Sequence, residues 1–198
     1  MSSTRRRGAE DSSTRTLLVE AAAALLGEEG VSGVTARRVA RKVGLSHQIV
    51  HYYFKSMDDL LIAVVEQGTA RAVAELEAAH EAEDPLRVVV ELNSTLASVT
   101  LSTQFNLYAA DRQALRAAVG GALDRFRAAQ AEVVALHLQR AGLAATLPPA
   151  VATVILTNVL RALALERPIG VTQGHAETLA WLRTLLAAPG LAGDGAER

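Results

Sequence analysis

The chain has 198 residues, enough for one or two domains with a hydrophobic core; half are hydrophobic and only 4% aromatic. With 38 alanines and few aromatic residues, the composition favours helix and speaks against an all-β sandwich or barrel. The lack of cysteine excludes disulfides, thiol nucleophiles and cysteine-ligated metals, and the formal charge of −1 divides into +4 over residues 1–56 and −5 over the rest.

Residues 1–13, rich in serine and arginine and without periodicity, read as a disordered basic arm, and no apolar stretch follows Arg5, Arg6 and Arg7 to make a signal peptide. From Thr14 a helical pattern begins, with Leu17, Leu18, Ala21, Ala22, Leu25 and Leu26 at three-to-four spacing and Gly30 as its stop. Thr35 reads as the cap of a short helix, Ala36–Val43, with Val39, Ala40 and Val43 on its inner face. After Gly44 and Leu45, Ser46 caps a second short helix that runs to about Tyr53. Ser56 caps a third, with Asp58 and Asp59 in a first turn that favours acids, and nothing stronger than Gly68 interrupts it before Asp84. Asp84-Pro85 opens a helix expected to reach about Leu101, apolar nearly all round through Leu86, Val89, Val90, Leu92, Leu96 and Val99. Four more are expected: a short one around Thr103–Ala110, a long one over Arg112–Ala141, one from Pro148-Pro149 to Glu166, and a last from Gln173 to Ala188. The tail at 189–198 is expected to be flexible. No apolar run reaches the roughly 20 residues needed to cross a bilayer, so the expectation is a soluble cytoplasmic protein with no membrane partner.

Two short helices joined by a glycine-containing turn have helix-turn-helix spacing. Val39, Ala40, Val43, Leu45 and Val50 can form the wedge that fixes their angle. Ser46, His47, Gln48, His51 and Tyr52 are then left on the outer face of the second helix, with no acid among them. Such side chains can reach phosphates and base edges, whereas a solvated structural helix more often carries Glu or Asp.

The stretch from Thr35 to Leu61, TARRVARKVGLSHQIVHYYFKSMDDLL, resembles the DNA-binding signature of the TetR family of bacterial transcription regulators. The matching features are Thr35 at the second helix, the Val39-Ala40 pair, the Gly44-Leu45-Ser46 turn, Tyr52 to Lys55, and Ser56 to Leu60. The resemblance covers about residues 14–65. It implies an all-α fold of about nine helices: a three-helix DNA-binding head (14–56) and a larger helical ligand-binding and dimerisation body (57–188). It further implies that Tyr52, Lys55 and Thr35 hold phosphates, that Ser46, His47, Gln48 and His51 face the major groove, and that Arg38 is the DNA-facing cation of its helix. Arg5, Arg6 and Arg7 would reach the adjacent groove. The chain departs from the family pattern at His51-Tyr52-Tyr53-Phe54, where Tyr-Tyr-His-Phe is usual, at Met57, where lysine is usual, and at Gln48, where glycine is common. These departures bear on the operator sequence and not on the fold.

For the body, the resemblance implies a homodimer whose last two helices form a four-helix bundle with their symmetry mates, bound to a palindromic double-stranded operator. The apolar Val151, Ile155, Val159 and Ala162 of the eighth helix, with Leu179, Leu182 and Leu186 of the ninth, are the candidate contacts. It also implies a pocket for a small, largely apolar effector. Candidate polar contacts are residues that interrupt apolar helices, namely Asn93, Ser94, Ser98, Gln104, Tyr108, His137 and Asn158.

No phosphate loop, nucleophile elbow or metal-ligand spacing is present, so neither catalysis nor a cofactor or metal is expected. Two alternatives stay open on sequence alone: a DNA-binding dimer indifferent to ligand, and a ligand-binding protein whose head has decayed.

Overall fold

The computed structural model describes residues 3–143 and 147–186. The side chains of residues 3–12, 96, 97, 185 and 186 are outside the described part, as is the tail at 189–198. The described chain is helical: α1 (Ser3–Glu29), α2 (Ala36–Lys42), α3 (His47–Tyr53), α4 (Met57–Ala78), α5 (Leu86–Ser94), α6 (Leu96–Ala109), α7 (Gln113–Arg140), α8 (Pro149–Glu166) and α9 (His175–Leu186). The backbone of α1 runs back to Ser3, across most of the stretch the sequence reading left as a disordered arm. Extending a nucleated helix adds one hydrogen bond for each residue fixed, so a segment with no apolar periodicity of its own can continue one that has it.

Local chemistry sets the ends. Ala40, Val43, Gly44 and Leu45 close α2 with a Schellman motif: the Leu45 amide donates to the Ala40 carbonyl at 2.9 Å and the Gly44 amide to Arg41 at 3.2 Å. Gly44 sits at φ +70°, a left-handed conformation that costs glycine nothing. At the start of α4, Ser56 and Asp59 form a reciprocal capping box: the Asp59 amide donates to Ser56 Oγ at 3.1 Å and the Ser56 amide to Asp59 Oδ2 at 3.0 Å.

The helix expected from Pro85 to Leu101 is two helices, and the short helix expected at Thr103–Ala110 is the end of the second. Thr95 leaves helical geometry, at φ −77° and ψ 119°, while its hydroxyl donates back to the Glu91 carbonyl at 2.9 Å. Its own carbonyl accepts from the Val99 amide at 3.1 Å and so opens α6. Polar side chains that offer the backbone a competing partner commonly end helices in this way.

The chain divides into two compact units, one of residues 1–68 and 101–122, the other of residues 69–100 and 123–198. The first is larger than the expected head of 14–56. Leu18, Ala22, Leu26, Val39, Val50 and Phe54 share one core with Leu60 and Leu61 of α4 and with Phe105 and Leu115 beyond it. The second unit has its own core, in which Val133, Val134 and Leu138 of α7 pack with Leu76, Val89, Leu156 and Leu160. The division falls inside three helices, α4, α6 and α7, each of which runs on unbroken.

The expectation that no segment is long and apolar enough to span a bilayer is corrected by α8, which with the turn after it (Pro149–Ile169, 21 residues) meets that test by length and composition. The sequence reading missed it because Thr153, Thr157 and Asn158 interrupt the apolar letters, while in the helix their side chains bond to carbonyls four residues back, at 2.7–2.8 Å. One stripe, including Ala152, Leu156, Leu160 and Ala164, is buried in the second unit's core. The rest of the helix is an unusually apolar outer face, 28% of the apolar window being buried.

Candidate nucleic-acid interface

In α3 the helical period separates two roles. Val50 is 1% exposed and Phe54, at the C-cap, is 3% exposed, with Ile49 and Tyr53 packed beside them on the head core. Ser46, His47, Gln48, His51 and Tyr52 lie on the other side, all exposed, and Lys55 follows in the loop, also exposed. Tyr52 is the most open of the large side chains here, 72% exposed, its ring edge-on to Tyr53 with centroids 4.9 Å apart. Its hydroxyl stands on a firm base. Ser46 occupies the N-cap position in extended geometry but its hydroxyl makes no capping bond, so it is available to another acceptor or donor.

Thr35 does cap α2, its Oγ1 accepting from the Arg38 amide at 3.4 Å, which leaves the hydroxyl hydrogen free to donate outward. Arg38 is placed differently from expectation. It is half-buried and ion-paired with Glu29 at the end of α1. Lys42, one turn on, reaches Glu28 at 2.8 Å. The two acids at the C-terminus of α1 thus hold the cations on one face of α2. Arg37 and Arg41, also one turn apart, are exposed and have no ion-pair partner among the described residues. No sequence signal separated these two pairs, because spacing alone does not say which face meets Glu28 and Glu29. Arg41→Ala is therefore expected to weaken DNA binding and to reduce the slope of log K against log salt by about 1 per head. Arg38→Ala should leave that slope unchanged and shift stability by no more than about 1 kcal/mol, since its ion pair is partly solvated. Salt titrations and melting curves of the two variants check both.

Met57, where lysine was expected, is partly buried against the head core. A charged side chain there would lose that packing, so the departure is a packing choice in this chain.

The expected effector residues do not converge. Gln104 and Tyr108 belong to the first unit. Gln104 reaches across to Gly30, where a Cβ would lie 2.8 Å from its Oε1. The Tyr108 ring carries the Arg112 guanidinium at 3.7 Å from its centroid, and Arg112 also approaches Asp58 at 3.7 Å. In the second unit, Asn93 is buried and donates to the Val89 carbonyl at 2.8 Å, while Asn158 is exposed and donates to Val154 at 2.8 Å. Ser94 and Ser98 are exposed. His137 alone of the seven lines the second unit's cavity, about 490 Å³ in volume. At Asn93 and Asn158 the polar side chain inside an apolar helix is satisfied by the carbonyl four residues back.

The expected dimer residues also divide. Leu182 is 5% exposed and packs with its own core, and Leu179 packs beside it. Val159 is half-buried, and the Leu186 side chain lies outside the described residues. Val151 and Ile155 are exposed, together with Val154 and Leu165 on the same helix and Trp181 on α9, and Ala162 is exposed among them.

Comparison with known proteins agrees with this geometry. Residues 18–64 match the family model described as bacterial regulatory proteins, tetR family. The HTH-type transcriptional regulator BetI of Rhizobium meliloti (strain 1021) is 34% identical over 83 residues, 40% of this chain; the chain spans about two fifths of that relative's length, 41%. Among solved structures, a chain from Mesorhizobium loti described as a TetR-family transcriptional regulator superposes with a TM-score of 0.67 at 18% identity, over 89% of this chain and 94% of that one. The multidrug binding protein EbrR, complexed with imidazole, superposes with a TM-score of 0.57 at 21% identity, over 90% and 92%. At such identities the superpositions establish the fold, and the likeness to bacterial regulatory proteins of the tetR family is carried by the head, residues 18–64.

Proposed function

We propose that the protein is a transcriptional repressor, acting in the cytoplasm as a homodimer on a palindromic operator and released from it by a small molecule. The observation that carries this reading is the outer face of α3. Ser46, His47, Gln48, His51 and Tyr52 stand exposed, without an acid, on a helix whose other side is locked into a core by Val50 and Phe54. Gln48 can pair bidentately with adenine, and the histidines can reach bases or phosphates, so the face supports sequence reading as well as affinity. Thr35, Arg37, Arg41, Tyr52 and Lys55 serve the phosphates in this reading. The family that the head matches is one of regulators and not of enzymes, which supports a non-catalytic role.

A two-fold operator needs two heads at fixed spacing. The apolar strip Val151, Val154, Ile155 and Leu165, with Trp181, is left uncovered in one chain and supports pairing through α8 and α9. Release is supported by the cavity in the second unit and by three helices that run unbroken from that unit into the one carrying the head. A ligand that prefers one arrangement of α4, α6 and α7 would change head spacing, with coupling of about 1–3 kcal/mol. That a multidrug binding protein shares the fold supports a ligand role for the second unit.

Ile155→Glu tests the reading. A charge placed in a desolvated two-fold contact meets its own symmetry mate, and like-charge juxtaposition costs several kcal/mol. The variant is expected to elute as a monomer, keep its helical spectrum, and bind a single half-site as well as the parent while losing the full operator. A monomeric variant that retains full-operator affinity would contradict the dimer reading.

A further inference from the structure

The cavity of the second unit has a chemistry of its own, and the inference here rests on the reading that a ligand occupies it. Its walls are Leu86 and Val90 of α5, Leu156 and Leu160 of α8, and Leu179 and Leu182 of α9. All six are aliphatic, and among the described residues no Phe, Tyr or Trp lines the cavity. A planar ring would find no Phe, Tyr or Trp face to stack on, and a quaternary ammonium would find no aromatic cage. What such walls hold well is a flexible alkyl chain, whose burial is driven by area removed from water and needs no fixed geometry.

The polar members of the lining are Asp84, Arg87, Glu91, His137 and Arg183. Arg87 is paired with Glu91. Its Nε donates to Glu91 Oε1 at 2.7 Å, and the charges of Glu91 and Asp84 both hold its guanidinium further above its ordinary range. Arg183 is exposed. The formal charges of the lining balance, and Arg183 is the guanidinium in it that makes no ion pair among the described residues. His137, half-buried, also stands in the wall.

We propose that the cavity binds a straight-chain aliphatic amphiphile with one anionic end group, of which an alkyl carboxylate is the simplest form, the chain lying against the six aliphatic side chains and the carboxylate meeting Arg183. Charge-assisted hydrogen bonds to an ionised end group are stronger than those to a neutral hydroxyl. Acid and alcohol of equal length should therefore differ in affinity, and Arg183 should be the cause.

The test is calorimetric titration of the full-length protein with straight-chain carboxylates from hexanoate to hexadecanoate, the matching primary alcohols, benzoate and tetramethylammonium, repeated on Arg183→Gln and Val90→Trp. The parent is expected to show an optimal chain length and to prefer the acid over its alcohol by about 10-fold. Arg183→Gln should reduce that preference to about 3-fold or less while leaving the alcohol's affinity unchanged. Val90→Trp, which fills the cavity from a half-buried position, should abolish binding of the longest chains with the helical spectrum and operator affinity retained. Equal affinity for acid and alcohol, an unchanged preference in Arg183→Gln, or tighter binding of benzoate or tetramethylammonium would overturn the proposal. Operator binding measured alongside separates the two readings. Acids that bind but leave DNA bound would support the cavity's chemistry and refute ligand-driven release. Release of DNA by another compound, with no acid bound, would refute the chemistry and leave release standing.

Discussion

Tyr52→Phe is expected to lower operator affinity by about 1.5–3 kcal/mol for each half-site, because one hydrogen bond to a charged phosphate is lost and the ring is kept. A dimer loses two such bonds, so the full operator should weaken by about 3–6 kcal/mol if the half-sites act independently. The substitution is selective. Tyr52 is 72% exposed and its edge contact with Tyr53 survives, so melting should move by no more than the equivalent of about 0.5 kcal/mol. Titration of the selected operator, with Tyr52→Phe beside the parent at one salt concentration, checks both halves. An unchanged affinity would mean that the exposed face of α3 does not lie against DNA as read here.

The second large effect concerns stability. Val50, 1% exposed, sits between the recognition face and the head core, and Val50→Asp would place a carboxyl where no donor waits for it. Burying such a group without a partner should cost about 4 kcal/mol or more, a large share of the roughly 5–15 kcal/mol that holds a domain together. The damage should be local. The single tryptophan, Trp181, belongs to the second unit, while the helical signal comes from both. Denaturation followed by far-ultraviolet circular dichroism should therefore begin earlier than denaturation followed by tryptophan fluorescence, with the parent's transitions lying closer together. Coincident transitions in the variant would contradict two separate cores.

The difference between what the sequence discloses and what it does not follows the range of the interactions. Helix ends are set by neighbours in the chain, so Gly44 after α2, Ser56 with Asp59 before α4, and Pro149 opening α8 are all legible. The faces of α3 are legible too, since a period of 3.6 separates Val50 from His47 and His51 without reference to the rest of the fold. Thr95 was missed because the break there depends on a side chain bonding backwards, which competes with the helix by a margin that propensity cannot rank. The pairing of Arg38 with Glu29 was missed because it joins residues on two helices whose relative rotation the sequence does not state. The same holds for Leu182, read as an outer residue and found in the core, and for the cavity, whose walls come from four helices and whose leucines look in sequence like any others. Along α3 short-range rules were sufficient; where two helices meet, in the head as in the second unit, they were not.

The most direct test of the central claim is selection of genomic fragments by the purified full-length protein, followed by salt titration of the most enriched site. The account predicts an inverted repeat bound by a dimer. It also predicts log K falling linearly with log salt, at about −0.9 for each phosphate neutralised by Arg37, Arg41, Lys55 and their symmetry mates. No enrichment at low salt, or an affinity indifferent to salt, would show that the exposed face of α3 is not a DNA-reading surface.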